Sequence, residues 1–207
     1  MAEQLDEIGE EWTQEVFINL PIEQNASLVD FYFLNNKILC VFEDFGVQEI
    51  DINTKEVTKT FNLQEIEGFE ISEDVEEDRV VAFALEKDVM LVGVALRTAV
   101  HVFEFTEEED IPLSHIAKVE SRNITSLVFV DYNLVMIQDL KEVGSIKVMC
   151  WDPEQGECKA QTSIERDANA SKVLIHSGSD CIYFTAGTML GKIEVPSMNP
   201  TYKVETG

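Results

Sequence analysis

The β-rich segments of this 207-residue chain recur in sets of four, and this recurrence constrains the fold more than any other feature. Ser27, Arg79, Thr125 and Ser171 begin equivalent sets, spaced 52, 46 and 46 residues apart. A repeat of about 40–50 residues with four strands per unit is typical of β-propeller blades. The sequence therefore predicts an all-β protein, a β-propeller or partial propeller of about four four-stranded antiparallel blades.

The repeat also predicts how the chain is divided. Residues 1–13 are acidic and aperiodic, so we expect an N-terminal arm, followed by a single propeller-like domain over residues 14–207. The expected blades span about 27–63, 79–119, 124–164 and 171–205.

One predicted strand, residues 15–22 with the sequence EVFINLPI, precedes the first blade. This strand either completes the fourth blade and latches the ring, or the ring stays open. In the second case a partner or a second copy fills the gap, which would make the chain a subunit and a homodimer one possible assembly.

The charge balance narrows the classes of partner. Forty acidic side chains against 15 basic ones give a formal net charge of −25, which repels phosphate and disfavours direct nucleic-acid binding. The same charge favours a basic protein partner. The sequence holds no apolar run long enough to span a bilayer and no signal-peptide pattern, so we expect no membrane contact and a cytoplasmic or nuclear location.

The sequence holds few groups that indicate catalysis, a metal or a cofactor. Its four cysteines form no C-x-x-C pair, and none of its three histidines has a neighbour at the spacing of a metal ligand. We therefore predict no cofactor, no metal site and no enzymatic activity. The alternative is an enzyme whose site lies in the propeller channel and is built from scattered residues such as His101, Asp139 and Glu194.

One stretch carries the clearest motif. In SIKVMCWDPEQGECK a predicted strand ends in Trp151-Asp152, a turn follows that contains Gly156, and Glu157-Cys158-Lys159 lead into the next strand, predicted from Cys158. This stretch resembles the third and fourth strands of a WD-repeat blade. Ile50-Asp51, followed by the turn NTKE, resembles the same part of such a blade more loosely. The repeat length resembles that family over most of the chain, whereas the sequence motif matches in only one blade. The Gly-His dipeptide of that family is absent from every predicted blade.

The resemblance implies a non-catalytic scaffold or adaptor, a propeller subunit of a larger complex that binds other proteins. Within that class, the order of AFAL, ESRNITSLVF and LVMI resembles the non-catalytic WD-repeat subunit of tRNA guanine-N7 methyltransferases. That alternative implies a chain that supports an RNA-modifying enzyme.

Two acidic segments are the predicted contact sites for a protein partner. The first is the interblade acidic loop, residues 68–78, and the second is the hairpin acidic loop, residues 106–110. The candidate contact residues are Glu73, Asp74, Glu76, Glu77, Asp78, Glu107, Glu108, Glu109 and Asp110.

Overall fold

The computed structural model describes residues 27–71, 78–88, 90–106, 112–165, 173–186 and 189–205. Within these residues the chain forms four four-stranded sheets, and in each sheet consecutive strands pair in antiparallel orientation. The sheets are arranged as the blades of a four-blade β-propeller, which confirms the predicted fold class. The predicted N-terminal arm and the strand at residues 15–22 lie outside the described residues.

Each blade is a meander of four consecutive strands. Blade 1 contains β1 to β4, at Leu28–Leu34, Lys37–Phe42, Gly46–Asp51 and Val57–Asn62. Blade 2 contains β5 to β8, at Val80–Glu86, Leu91–Leu96, Ala99–Phe105 and Leu113–Glu120. Blade 3 contains β9 to β12, at Ile124–Val130, Asn133–Leu140, Ser145–Asp152 and Glu157–Glu165. Blade 4 contains β13 to β16, at Val173–Ser177, Cys181–Ala186, Met189–Glu194 and Pro200–Glu205.

Blade 4 obtains its fourth strand from the C-terminal part of the chain. β16 pairs with β15 along its whole length, so blade 4 has no vacant outer position for residues 15–22 to complete. The latch that the sequence suggested is therefore not needed to complete this sheet.

Three apolar clusters hold neighbouring blades together. Leu39 and Val41 of blade 1 pack with Phe83 and Phe103 of blade 2. Ala82 and Val100 of blade 2 share a second cluster with Leu127, Phe129 and Trp151 of blade 3. A third cluster joins Ile146 and Val148 of blade 3 to Ile182 and Phe184 of blade 4. Since a single sheet cannot bury both of its faces, this stacking supplies the core.

The middle strands show which faces are covered. β2, β6 and β10 are buried along almost their whole length, as strands covered on both faces must be. β14 of blade 4 instead alternates, because Ile182 and Phe184 are buried whereas Tyr183 and Thr185 are exposed. Blade 4 is therefore covered on one face only.

Candidate functional site

The interblade acidic loop is fixed at both of its described ends. At its start, Phe69 is 9% exposed and its ring lies 4.5 Å from that of His101 and 5.9 Å from that of Phe45. At its end, Asp78 is 9% exposed and accepts hydrogen bonds from the backbone of Arg97 (3.0 Å) and the hydroxyl of Thr98 (2.9 Å).

Asp78 is one of the predicted contact residues, and its carboxylate is directed into blade 2. Its two oxygens join the start of β5 to the turn between β6 and β7. The other predicted contact residues of this loop, Glu73, Asp74, Glu76 and Glu77, lie outside the described residues.

The hairpin acidic loop also begins and ends on buried side chains. Phe105 and Leu113 pair across β7 and β8 and are 3% and 4% exposed. The backbone N–H of Thr106 donates to the carbonyl of Pro112 at 2.8 Å, which closes the base of the loop. The predicted contact residues Glu107, Glu108, Glu109 and Asp110 lie outside the described residues.

The interblade loop joins β5 and the hairpin loop leaves β7 at opposite ends of blade 2. The interblade loop enters at Val80, the first residue of β5, whereas the hairpin loop leaves β7 beside the last residues of β5. Seven residues of strand separate these ends by about 20 Å. These distances apply to the points where the loops join the strands, since the interblade loop begins beside His115, two residues from Leu113.

An aromatic cluster with two histidines lies beneath the interblade loop. His101 is fully buried, and its Nδ1 lies 3.1 Å from Nε2 of His115. Burial, assisted by the neighbouring His115, lowers the pKa of His101 to about 4, and burial also lowers the pKa of His115. Both rings are therefore neutral at pH 7, and they pack against Phe69 and Phe103 as part of the core.

The four inner strands enclose a cleft of about 410 Å³. β1, β5, β9 and β13 all line it, as the inner strands of propeller blades line the axis of the ring. The hydroxyl of Tyr32 donates to the carbonyl of Phe83 at 3.0 Å and lies 3.3 Å from Asp30 Oδ2. Burial, with Asp30 beside it, raises the pKa of Tyr32, so this phenol remains neutral at physiological pH.

The structure does not bring the three residues of the channel alternative together. His101 lies on β7, Asp139 on β10 and Glu194 on β15, in three different blades, and none of them lines the cleft. Among the described residues, no group of three His, Cys, Asp or Glu side chains has the arrangement of a metal site. No described helix has the length and hydropathy of a membrane span.

The carboxylates of the WD-like positions organise the turns between third and fourth strands. Asp152 Oδ1 accepts from the backbone N–H groups of Glu154 (2.8 Å) and Gln155 (3.2 Å), and its Oδ2 forms an ion pair with Lys159 at 2.7 Å. The hydrogen bond from Lys159, with those from the turn, lowers the pKa of Asp152. In blade 1, Asp51 accepts from the N–H groups two and three residues ahead in the same way.

The comparisons with known proteins agree with this geometry. No family model matches the sequence, and no curated protein matches it. Solved structures do match. The WD40 repeats of RRP9 give a TM-score of 0.63 at 10% identity, covering 88% of this chain and 52% of that one. The chain has the fold of a WD40-repeat propeller.

Two further solved structures are similar to this chain. The structure of U3-55K gives a TM-score of 0.62 at 11% identity, covering 88% of this chain and 53% of that chain. The WD40 domain of coronin from Toxoplasma gondii gives 0.59 at 7% identity, with 84% and 44% covered. The four blades of this chain thus span about half the length of these WD40 propellers.

Sequence reasoning missed the difference between the outer faces of blades 1 and 4. Large side chains on the blade 4 face are exposed, namely Leu174 at 55%, Tyr183 at 44% and Leu190 at 38%. The signal that could have revealed it is the presence of Tyr183 and Thr185 at alternate positions of β14, against the apolar run ILCVF in β2.

Proposed function

We propose that this chain is a non-catalytic propeller scaffold that binds a basic protein partner through its hairpin acidic loop. The observation that carries the proposal is the base of that loop. Phe105 and Leu113 are buried, and the hydrogen bond from Thr106 to Pro112 closes the base of the loop, so the loop that carries four consecutive acidic residues begins and ends at a fixed point of blade 2. The net charge of −25 would add a long-range attraction for a basic partner.

The interblade acidic loop is proposed as a second contact surface. Its described ends are held by Phe69, which packs against His101, and by the hydrogen bonds to Asp78. Asp78 is left out of this surface, because its carboxylate is already engaged inside the blade.

The proposal includes a cytoplasmic or nuclear location and a place in a larger complex. All four cysteines are free, and Cys40, Cys150 and Cys181 are buried, which suits a reducing compartment. The WD40-type fold supports the class, since propellers of this kind offer several surfaces on one rigid framework.

The test is affinity capture by the full chain from its native extract, with stoichiometry measured by light scattering and mass spectrometry. We expect Glu107→Lys, Glu108→Lys and Glu109→Lys together to abolish capture of a stoichiometric companion and leave the melting temperature nearly unchanged. A matched control reverses three exposed charges in blade 3, at Glu142, Glu157 and Glu165, which changes the net charge by the same amount.

Equal loss of capture in both variants would mean that net charge, and not the loop, attracts the partner. Unchanged capture in the loop variant would remove this loop from the proposal, and a variant with Glu73→Lys, Asp74→Lys and Glu76→Lys would then test the other surface. Capture of a methyltransferase subunit would identify the RNA-modifying complex as the setting. A particle of twice 23.4 kDa with no companion would indicate a homodimer instead.

A further inference from the structure

Tyr132 presents a large aromatic ring at the turn between β9 and β10. It is 52% exposed, whereas the next residue, Asn133, is buried. The φ values of Asp131 and Tyr132 are 46° and 62°, in the left-handed region that bulky side chains rarely adopt. A tyrosine at this place gains little from packing and costs backbone strain, so its ring is a candidate for contact with a partner.

Tyr132 lines two clefts, each of about 300 Å³. The first cleft reaches blade 2 at Asp88 and blade 4 at residues 177–179. The second cleft reaches blade 2 at Leu91 and blade 4 at Pro196. Tyr132 is thus part of the wall of both clefts, in a surface that extends over three blades. We call the two clefts and this shared wall the Tyr132 surface.

Carboxylates outnumber cations on the Tyr132 surface. Asp88 and Asp131 line the first cleft, and no described lysine or arginine lines it. In the second cleft, Lys159 is the one cation among the described lining residues, and it is already paired with Asp152 at 2.7 Å, while Glu154 adds a further carboxylate. Within the described part of the chain, Asp88 and Asp131 form no ion pair. The surface therefore combines an exposed aromatic ring with carboxylates that lack a counter-charge.

Arginine is the side chain that fits this combination best. Its planar guanidinium stacks on an aromatic ring, and its N–H groups form a rigid fork that matches a carboxylate. Lysine carries the same charge, but its ammonium is a compact and strongly hydrated point charge without that planar fork. A surface that presents both a ring and a carboxylate therefore prefers arginine to lysine, whereas a carboxylate alone would attract both.

We propose that the Tyr132 surface binds an arginine side chain of a basic protein segment, with the guanidinium stacked on Tyr132 and hydrogen-bonded to Asp131. The two clefts accommodate the residues on each side of that arginine, and Asp88 and Glu154 attract further positive charge there. This inference rests on the proposed basic partner, and it specifies where and through which side chain that partner binds.

The base of the hairpin acidic loop adjoins the Tyr132 surface. The backbone N–H of Phe105, the last residue of β7, donates to the carbonyl of Met90 at 2.7 Å. Met90 is followed by Leu91, which lines the second cleft together with Tyr132. The loop and the Tyr132 surface are therefore neighbouring parts of one end of the propeller.

Fluorescence anisotropy with synthetic peptides tests the proposal on the full chain. The probe is a fluorescein-labelled peptide with three arginines separated by single glycines, and the comparison peptide has lysine at the same three places. Both peptides carry the same charge, so net charge attracts them equally. We expect the arginine peptide to bind at least about fivefold more tightly than the lysine peptide, because only the guanidinium combines stacking with a forked hydrogen bond.

Variants of the chain show whether the ring and the carboxylates act together. Tyr132→Ala should weaken binding of the arginine peptide about tenfold, whereas Tyr132→Phe, which keeps the ring, should stay within about twofold of the unmodified chain. Asp131→Asn with Glu154→Gln should weaken binding by at least about tenfold. The matched control Glu142→Gln with Glu165→Gln removes two exposed charges from the other end of blade 3 and should leave the affinity unchanged.

Three results would each overturn the proposal: equal binding of the arginine and lysine peptides, full affinity in Tyr132→Ala, or equal losses in the charge variant and its control. The last result would mean that net charge alone attracts the peptide. The comparison of the two peptides uses the unmodified chain, so it stays decisive even where a variant fails to fold.

Capture from the native extract separates this inference from the proposed function. If the chain with Glu107→Lys, Glu108→Lys and Glu109→Lys loses its companion while Tyr132→Ala retains it, the proposed function stands and the arginine site fails. If the same loop variant captures the companion normally and Tyr132→Ala loses both the companion and the arginine peptide, the arginine site stands and the hairpin acidic loop fails as the contact.

Discussion

At the scale of single residues, burial decides what each candidate side chain does. His101 had the residue type of a ligand or a base, yet it is fully buried against Phe69 and His115. Its pKa of about 4 lies below the value of about 6.5 in an unfolded chain, so the unfolded state binds more protons between these values. We therefore expect the free energy of unfolding to fall as pH decreases below 6.5, by up to about 1.4 kcal/mol per pH unit for this group.

Denaturant unfolding at intervals between pH 7.5 and pH 5 measures this loss. His101→Phe, which keeps an aromatic ring in the cluster, should make the decrease shallower. The exposed His176 provides the control, and His176→Gln should leave the profile as it is. A profile for His101→Phe that equals that of the unmodified chain would show that His101 is not the group responsible.

At the scale of elements, the order of the strands could be predicted from the sequence. The exact turn residues and the inward position of Asp78 could not. Alternation and turn residues were enough to predict four meanders, because they act over a few neighbouring residues. The turn between β9 and β10 is an example. Asp131 and Tyr132 take the positive φ values, and the amide of Asn133 donates back to the carbonyl of Asp131 at 2.7 Å. The inward position of Asp78 depends on Arg97 and Thr98, 19 and 20 residues away, so local pattern could not predict it.

Substitutions at two glycines distinguish the free-energy cost of backbone strain from the cost of a packing clash. Gly68 and Gly156 both have positive φ, at 85° and 69°, but a Cβ on Gly68 would lie 2.9 Å from Nδ1 of His115, whereas a Cβ on Gly156 would meet nothing within 4 Å. Gly156→Ala should cost about 1 kcal/mol, from backbone strain alone. Gly68→Ala should cost about 2–4 kcal/mol, because it also displaces His115 from the aromatic cluster. Equal losses of unfolding free energy in the two variants would show that the contact at His115 contributes nothing.

At the scale of the whole molecule, the two terminal blades differ. Blade 1 buries both faces of its middle strand, whereas blade 4 buries one, and the four blades together span about half the length of the WD40 propellers they resemble. Periodicity could predict the number of blades, but the state of the terminal faces depends on contacts between blades. The candidate contact loops were visible as acidic runs, yet the strand ends at which they join blade 2 follow from strand pairing, which the runs do not show.

The exposed face of blade 4 gives the last prediction, which compares two adjacent residues of β14. Tyr183 points away from blade 3 and is 44% exposed, whereas Phe184 points into the cluster with blade 3 and is 3% exposed. Tyr183→Asp should change the free energy of unfolding by no more than about 0.5 kcal/mol and leave the solution mass unchanged, because the face it alters contacts solvent. Phe184→Asp should cost about 4 kcal/mol or more, since it places a charge in an apolar cluster. Denaturant unfolding and light scattering measure both effects. A large loss of stability or of mass in Tyr183→Asp would mean that this face is covered in solution, and that the propeller is completed by contacts beyond its four blades.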